Sequence, residues 1–472
     1  MNMNNKKKIE KKDNFISGED LDNNPLLKCL TCGSVDDGKS TLIGRLLHDT
    51  KQIYDDQLFS LQNDSKRYGT QNNNTIDFSL LVDGLQDERE QGITIDVAYR
   101  YFSTCKRKFI IADTPGHQQY TRNMVTGAST CDLSILLVDA KRGLSEQTYR
   151  HAFISSLLGI KNFIIAINKM DLIGYKEKVY LDIKNSFLSF SKKIDSDLNI
   201  FFIPISALIG DNIVSMSDFM PWYNDTTLLH ILETIKIKKN INKKEIRFPV
   251  QYINRPNSDF RGYSGTLFSG QIFVGQKIKI LPININSYIS RIVTFDKDLQ
   301  VANSGQAITI VLEDEIDISR GDFFVNIDSS LKPTKEAIVD IVWMVDEILL
   351  PGQSYNVKLS GKKTGVYIQE ILYKIDINHL TKIKTNSLSL NNIGRIKVIF
   401  NEPMVFDRYK DNRFTGNMIF IDFFTNNTVG AGMIYSSIFK NNNTKLHNMK
   451  QFELDLYNLI SRYFPHWNIN KK

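Results

Sequence analysis

The chain has 472 residues, 42% of them hydrophobic, and 59 Lys+Arg against 52 Asp+Glu give it a formal net charge of +7. That length predicts about three domains with full cores; no apolar run approaches the ~18 residues that cross a bilayer and no secretory core opens the chain, so a soluble cytoplasmic protein is expected, with no membrane partner. Residues 1–12 carry five lysines against Glu10, a net +4 that leaves only +3 for everything else, too little to argue for a nucleic-acid partner.

Residues 1–23 are polar and charged and read as a disordered tail. The apolar run Leu26 to Cys32 predicts a buried strand, and Ser40 to Asp49 a helix. Between them stands Gly33-Ser34-Val35-Asp36-Asp37-Gly38-Lys39-Ser40, followed by Thr41. This is the spacing of a phosphate-binding loop: backbone N–H groups and the positive helix end meet phosphate charge, Lys39 reaches the β- and γ-phosphates, and the Ser40 hydroxyl is placed for Mg²⁺. The long polar stretch Tyr54 to Glu90, with its Asn72 to Asn74 run, is expected to hold a mobile first switch, and Thr94 behind it is placed to offer a second hydroxyl to the metal.

A second strand, Lys108 to Ala112, runs into Asp113-Thr114-Pro115-Gly116-His117. Asp113 is positioned for Mg²⁺, the Gly116 amide for the γ-phosphate, and His117 for orienting the attacking water, although a histidine that merely starts a helix would look the same. A third strand, Asn162 to Ile167, ends in Asn168-Lys169-Met170-Asp171. The Asp171 carboxylate accepts the two N–H groups of a guanine edge, which adenine does not offer, so the nucleotide is GTP. Ile200 to Ile205 leads into Ser206-Ala207-Leu208, whose backbone N–H groups are expected to face the guanine O6. Strands such as Leu133 to Val138, alternating with helical stretches such as Glu146 to Leu158, predict an α/β P-loop GTPase domain over residues 24–238, a mostly parallel sheet with helices on both faces.

Beyond Lys244 the pattern changes to period two, as in Ile278 and Ile280 or Ile308, Ile310 and Leu312. Two antiparallel β-barrel domains are predicted over 247–328 and 336–437, followed by a short C-terminal helix over 448–465. Ser360-Gly361-Lys362-Lys363-Thr364 imitates a second phosphate loop, but Asn356 occupies the place of its first glycine, and a basic turn between strands is the reading that fits. Cys29 and Cys32 form a C-x-x-C within the first strand, where residues three apart face opposite ways; with no second pair they read as core thiols.

The segments GITID, DTPGH and NKMD resemble those of the elongation factor Tu class of translational GTPases. The longer stretches GSVDDGKSTLIGRLLHDTKQIYDDQL, LLVDGLQDEREQGITIDVAYRYF, ADTPGHQQYTRNMVTGAST and NRPNSDFRGYSGTL are similar to the large, GTP-hydrolysing subunits of bacterial ATP sulfurylase, from about residue 24 to Phe464-Pro465-His466-Trp467. Asp37 stands where translation factors of the class commonly have His or Ala. Gln118 stands where the sulfurylase family often has Glu. The resemblance implies that a smaller partner subunit forms adenosine 5′-phosphosulfate and pyrophosphate from ATP and sulfate while this chain hydrolyses GTP to drive that step. It also implies that Val35 and Ile93 flank His117 as an apolar gate. Some relatives carry a fused adenylylsulfate kinase, and because this chain ends at Lys472, that second phosphorylation is expected of another protein. Delivery of aminoacyl-tRNA, or a scaffold that holds GTP without turning it over, would use the same architecture.

Overall fold

The computed structural model describes residues 26–68, 76–82, 88, 94–237, 245–257 and 260–438. The expected tail, the Asn72 to Asn74 run, Ile93 and the helix expected over 448–465 lie outside the described residues. The chain divides into two compact units, residues 1–239 with 376–381 and residues 240–375 with 382–472.

The first unit is built on a six-stranded sheet of β1 (Leu26–Cys32), β2 (Ala98–Ser103), β3 (Lys108–Asp113), β4 (Leu133–Asp139), β5 (Asn162–Asn168) and β6 (Asn199–Pro204), in the order β2-β3-β1-β4-β5-β6. Only the β2–β3 pairing is antiparallel. β4 and β5 are buried along their whole length, which is why they read as unbroken apolar runs: a parallel strand covered on both faces has no side for polar residues. The register pairs Thr31 with Asp113 and Asp139 with Asn168, so the carboxyl ends of β1, β3, β4 and β5 finish along one edge of the sheet. Ligands bind at such an edge.

Helix α1 (Lys39–Asp49) buries Leu42, Ile43, Leu46 and Leu47. The polar stretch after it is not irregular throughout, because residues Asp55–Tyr68 form a second helix, α2. Its apolar anchor is Leu61, which clusters with Phe78 and Leu80 of the 3₁₀ turn Phe78–Leu81, and one buried leucine is too weak a signal to announce a helix. Further helices are α3 (Thr121–Thr130), α4 (Glu146–Leu157), α5 (Glu177–Ile194) and α6 (Leu228–Thr234). α4 opens with a reciprocal cap in which Ser145 Oγ accepts from Thr148 N–H while Thr148 Oγ1 accepts from Ser145 N–H. α5 sets Tyr180, Ile183, Phe187 and Phe190 on one buried face at helical spacing.

The second unit is β-structured. Strands between Phe248 and Val325 make an eight-stranded antiparallel sheet, with Ile278, Ile280, Ile308 and Ile310 turned into its core. Strands between Thr334 and Ile438 make a seven-stranded sheet in which Ser354–Leu359 pairs with both Lys362–Asp376 and Asn417–Ile421, closing it into a barrel around the fully buried Trp343. Ser360 and Gly361 form the two-residue hairpin between Ser354–Leu359 and Lys362–Asp376, both at positive φ, so the loop-like sequence is a turn. Arg247, in front of the first sheet, is bonded through Nε to both Asp407 carboxylate oxygens at 3.0 and 2.9 Å, and Thr415 Oγ1 donates to the same carboxylate at 2.6 Å.

Cys29 and Cys32 are buried free thiols, and burial pushes the Cys32 thiol up to about 12. Among the described residues no group of three His, Cys, Asp or Glu is arranged to hold a metal, and no helix is long and apolar enough to cross a membrane.

Candidate nucleotide-binding site

The phosphate loop spans the turn from β1 into α1, with Gly38 at the left-handed N-cap position (φ 90°). Lys39 is buried and lies under the loop, its Nζ donating to Ser34 O at 2.8 Å and reaching Gly33 O at 3.5 Å. Asp37 Oδ2 accepts from Ser34 N–H at 2.6 Å; burial pushes this carboxyl up, opposed by Lys39 and the Ser34 amide. Thr41 stands half-buried in the first turn of α1, and Asp36 is exposed at positive φ.

Ser40 of α1, Asp113 at the end of β3 and Thr94 from the segment before β2 come together. Ser40 Oγ lies 3.3 Å from Asp113 Oδ2 and 3.5 Å from Thr94 Oγ1, while Thr31 Oγ1 donates to the other Asp113 oxygen at 2.8 Å. Asp113 is wholly buried, and burial pushes its carboxyl up against the opposing pull of Lys39, Thr31 and Ser40. Two hydroxyls and one carboxylate, with one carboxylate oxygen pinned and the other facing the hydroxyls, suit a small hard dication that completes its shell with water and phosphate.

The sensor segment is anchored by Thr114, whose Oγ1 donates to Thr31 O at 2.6 Å, and Pro115 is buried beside it. Gly116 packs so closely on the loop that a Cβ there would come within 2.6 Å of Lys39 Nζ and 2.7 Å of the Val35 nitrogen; no side chain fits. His117 is exposed and caps its own turn, Nδ1 accepting from Gln119 N–H at 3.2 Å. Val35 is half-buried on the loop; its expected gate partner, Ile93, is outside the described residues.

At the base end, Asn168 is a buried tie. Its Nδ2 donates to Asp37 O at 2.7 Å and its Oδ1 accepts from Ala207 N–H at 2.8 Å, so one amide joins the phosphate loop, the end of β5 and the segment after β6. The Ala207 N–H, expected to face the base, is thus engaged by Asn168. Asp171 is half-buried, and Ser206 Oγ donates to its Oδ1 at 2.7 Å, which fixes the carboxylate's direction. Met170 is buried, with its N–H donating to Ile205 O at 3.3 Å; Leu208 is exposed. Lys169, at positive φ, forms an ion pair with the buried Asp139 at 2.9 Å. Burial pushes Asp139 up, but Lys169 and the Lys141 and Arg142 N–H groups outweigh it and hold the carboxyl below the usual range.

Sequence reasoning missed three side chains that shape this site. Asp139 carried a signal, as the one polar residue ending an apolar strand. Arg45 carried none: from α1 it donates to the Ala207 and Leu208 carbonyls and lies 4.7 Å over the Phe78 ring. His151 is fully buried in α4, and its Nδ1 accepts from Gly33 N–H at 3.1 Å. Burial, with Lys39 and Arg150 adding to it, lowers this imidazole to about 3, so it stays neutral and an acceptor.

Fold and site together define a P-loop GTPase of the elongation factor Tu-like class. Residues 24–236 match the elongation factor Tu GTP binding domain family, and residues 336–435 match the GTP-eEF1A C-terminal domain-like family. Over its whole length the chain is similar to curated relatives. Sulfate adenylyltransferase subunit 1 of Buchnera aphidicola subsp. Acyrthosiphon pisum (strain APS) is 69% identical over 464 residues, 98% of either chain. The proteins of the same name from Salmonella arizonae and Erwinia tasmaniensis are each 58% identical over 443 residues, covering 94% of this chain and 92% and 93% of theirs. The chain belongs to the sulfate adenylyltransferase subunit 1 family. The aminoacyl-tRNA alternative is not favoured by these relatives.

Proposed function

We propose that this chain hydrolyses GTP as one subunit of a sulfate adenylyltransferase, and that hydrolysis drives formation of adenosine 5′-phosphosulfate and pyrophosphate on a smaller partner subunit that binds ATP and sulfate. The observation that carries the GTPase reading is the convergence of four strand-end motifs at one sheet edge, tied by the two-way hydrogen bonding of Asn168. The sulfurylase reading rests on the full-length similarity to relatives of that name.

Within this reading Gly33 to Thr41 cradle the phosphates, and Lys39 neutralises them. Asp171, aimed by Ser206, reads the guanine N–H pair, with Asn168, Lys169, Met170, Ala207 and Leu208 around the base. Ser40, Thr94 and Asp113 would hold Mg²⁺, which when bound neutralises developing charge on the β- and γ-phosphates. The Gly116 amide senses the γ-phosphate. His117 orients the attacking water; with Nδ1 accepting from Gln119 N–H, Nε2 is the ring nitrogen left for that role. The setting is cytoplasmic, with domains over 24–238, 247–328 and 336–437.

Replacing Asp171 by Asn tests the base reading directly. GTP affinity is expected to fall at least about 100-fold, the loss of a charge-assisted pair of bonds, while xanthosine triphosphate binding rises. Equal GTP binding by variant and parent, in a titration with fluorescent nucleotide, would refute the assignment.

A further inference from the structure

Residues Thr94 to Val97 belong to no helix or strand, so their backbone polar groups need partners from elsewhere. Glu88 Oε1 accepts from Ile95 N–H at 2.9 Å and from Asp96 N–H at 3.2 Å. From the opposite side, Asn123 Nδ2 donates to Ile95 O at 2.8 Å. The residue next to Thr94 is therefore held by side chains at both its N–H and its C=O.

Asn123 sits on α3, the helix that follows Gly116 and His117, and that helix touches both halves of the site. A Cβ on its Gly127 would lie 2.7 Å from Thr114 Cγ2 and 3.5 Å from Val97 Cγ1. α3 is thus packed between the segment that ends in the sensor glycine and the segment that carries Thr94, and Asn123 is its polar link to the second.

We propose that Asn123 is a positioning residue for GTP hydrolysis: it locks the Thr94 segment to α3, so that a movement of the Asp113–His117 segment is transmitted to Thr94. The inference rests on the reading of Thr94 as a metal ligand in the GTP state. Because Thr94 serves GTP and not GDP, the link acts on one nucleotide only, and a device of this kind shifts states only through such a difference.

The test compares Asn123→Ala, the near-isosteric Asn123→Asp, Thr94→Ala and the Thr94→Ala/Asn123→Ala pair, measuring GTP and GDP affinity and single-turnover hydrolysis in Mg²⁺. Both Asn123 variants are expected to lose five- to tenfold in GTP affinity and hydrolysis rate while GDP affinity stays within twofold. Asn123→Ala is expected to add nothing in the Thr94→Ala background, the mark of a residue acting through another. Equal losses for GTP and GDP, full additivity with Thr94→Ala, or unchanged hydrolysis in both Asn123 variants would overturn the proposal. Normal hydrolysis by Thr94→Ala alone would instead bring down the metal-ligand reading beneath it.

Discussion

Asp113 shows what a binding residue costs the protein that carries it. Its carboxyl is wholly buried and held above the usual range, because burial disfavours the charged form in the native state. With the folded value raised, the stability this group gives is fully present below the unfolded value of about 3.9 and is lost as pH rises through the folded value. At neutral pH, without ligand, it therefore destabilises the fold. Asp113→Asn should raise Tm at pH 7 in the absence of nucleotide, about 2–4 °C for each kcal/mol relieved in a unit of this size, and should lose the Tm gain that GTP with Mg²⁺ gives the parent. A lower ligand-free Tm would show that the charged carboxylate stabilises instead. His151 has the opposite sense of titration. Its folded value of about 3 lies below the ordinary 6.5, so the unfolded chain takes up a proton that the native one refuses, and stability falls as pH drops from about 6.5 toward 3. Thermal unfolding between pH 7 and 4 should be flatter for His151→Asn, whose amide oxygen can still accept from Gly33 N–H; identical slopes would exclude His151 as a source of acid sensitivity.

At the scale of elements, what could be read beforehand followed from burial. β4 and β5 announce themselves as apolar runs because they are sealed on both faces, and β1, β3 and β6 through apolar stretches buried toward their carboxyl ends, while the candidate site residues are placed by the strand ends themselves. The alternation at Ile278 and Ile280 or Ile308 and Ile310 is legible for the complementary reason, since those strands have one face out. α2 was not legible, because one buried leucine in a polar stretch gives no periodicity. Arg45, His151 and Asn123 were hidden too: each acts through a partner far away in the chain, and spacing in sequence carries no trace of that. The Arg247–Asp407 pair in the β unit is of the same kind. Arg247 is 7% and Asp407 11% exposed, so removing one partner leaves a nearly buried charge. Asp407→Ala should cost about 3 kcal/mol, the low end for a broken buried pair because Glu245 also contacts Arg247. A urea midpoint shift corresponding to less than ~1 kcal/mol would mean that Glu245 alone satisfies the guanidinium.

For the whole molecule, the consequence of the site is a switch that has to be read by something else. On the proposed reading, hydrolysis removes the γ-phosphate that the Gly116 amide senses and with it the GTP-state metal contact of Thr94, and it does work on a partner only if that partner binds the GTP and GDP states unequally. The sulfurylase reading supplies such a reader and a reaction that needs driving. The measurement that tests it most directly is GTP hydrolysis by the purified chain with the small sulfurylase subunit from the same source, with and without ATP and sulfate, while adenosine 5′-phosphosulfate is followed in parallel. The account predicts hydrolysis accelerated by the partner and its substrates, with adenosine phosphosulfate accumulating in step with GDP. An active small subunit that neither binds this chain nor accelerates its GTP turnover would contradict it.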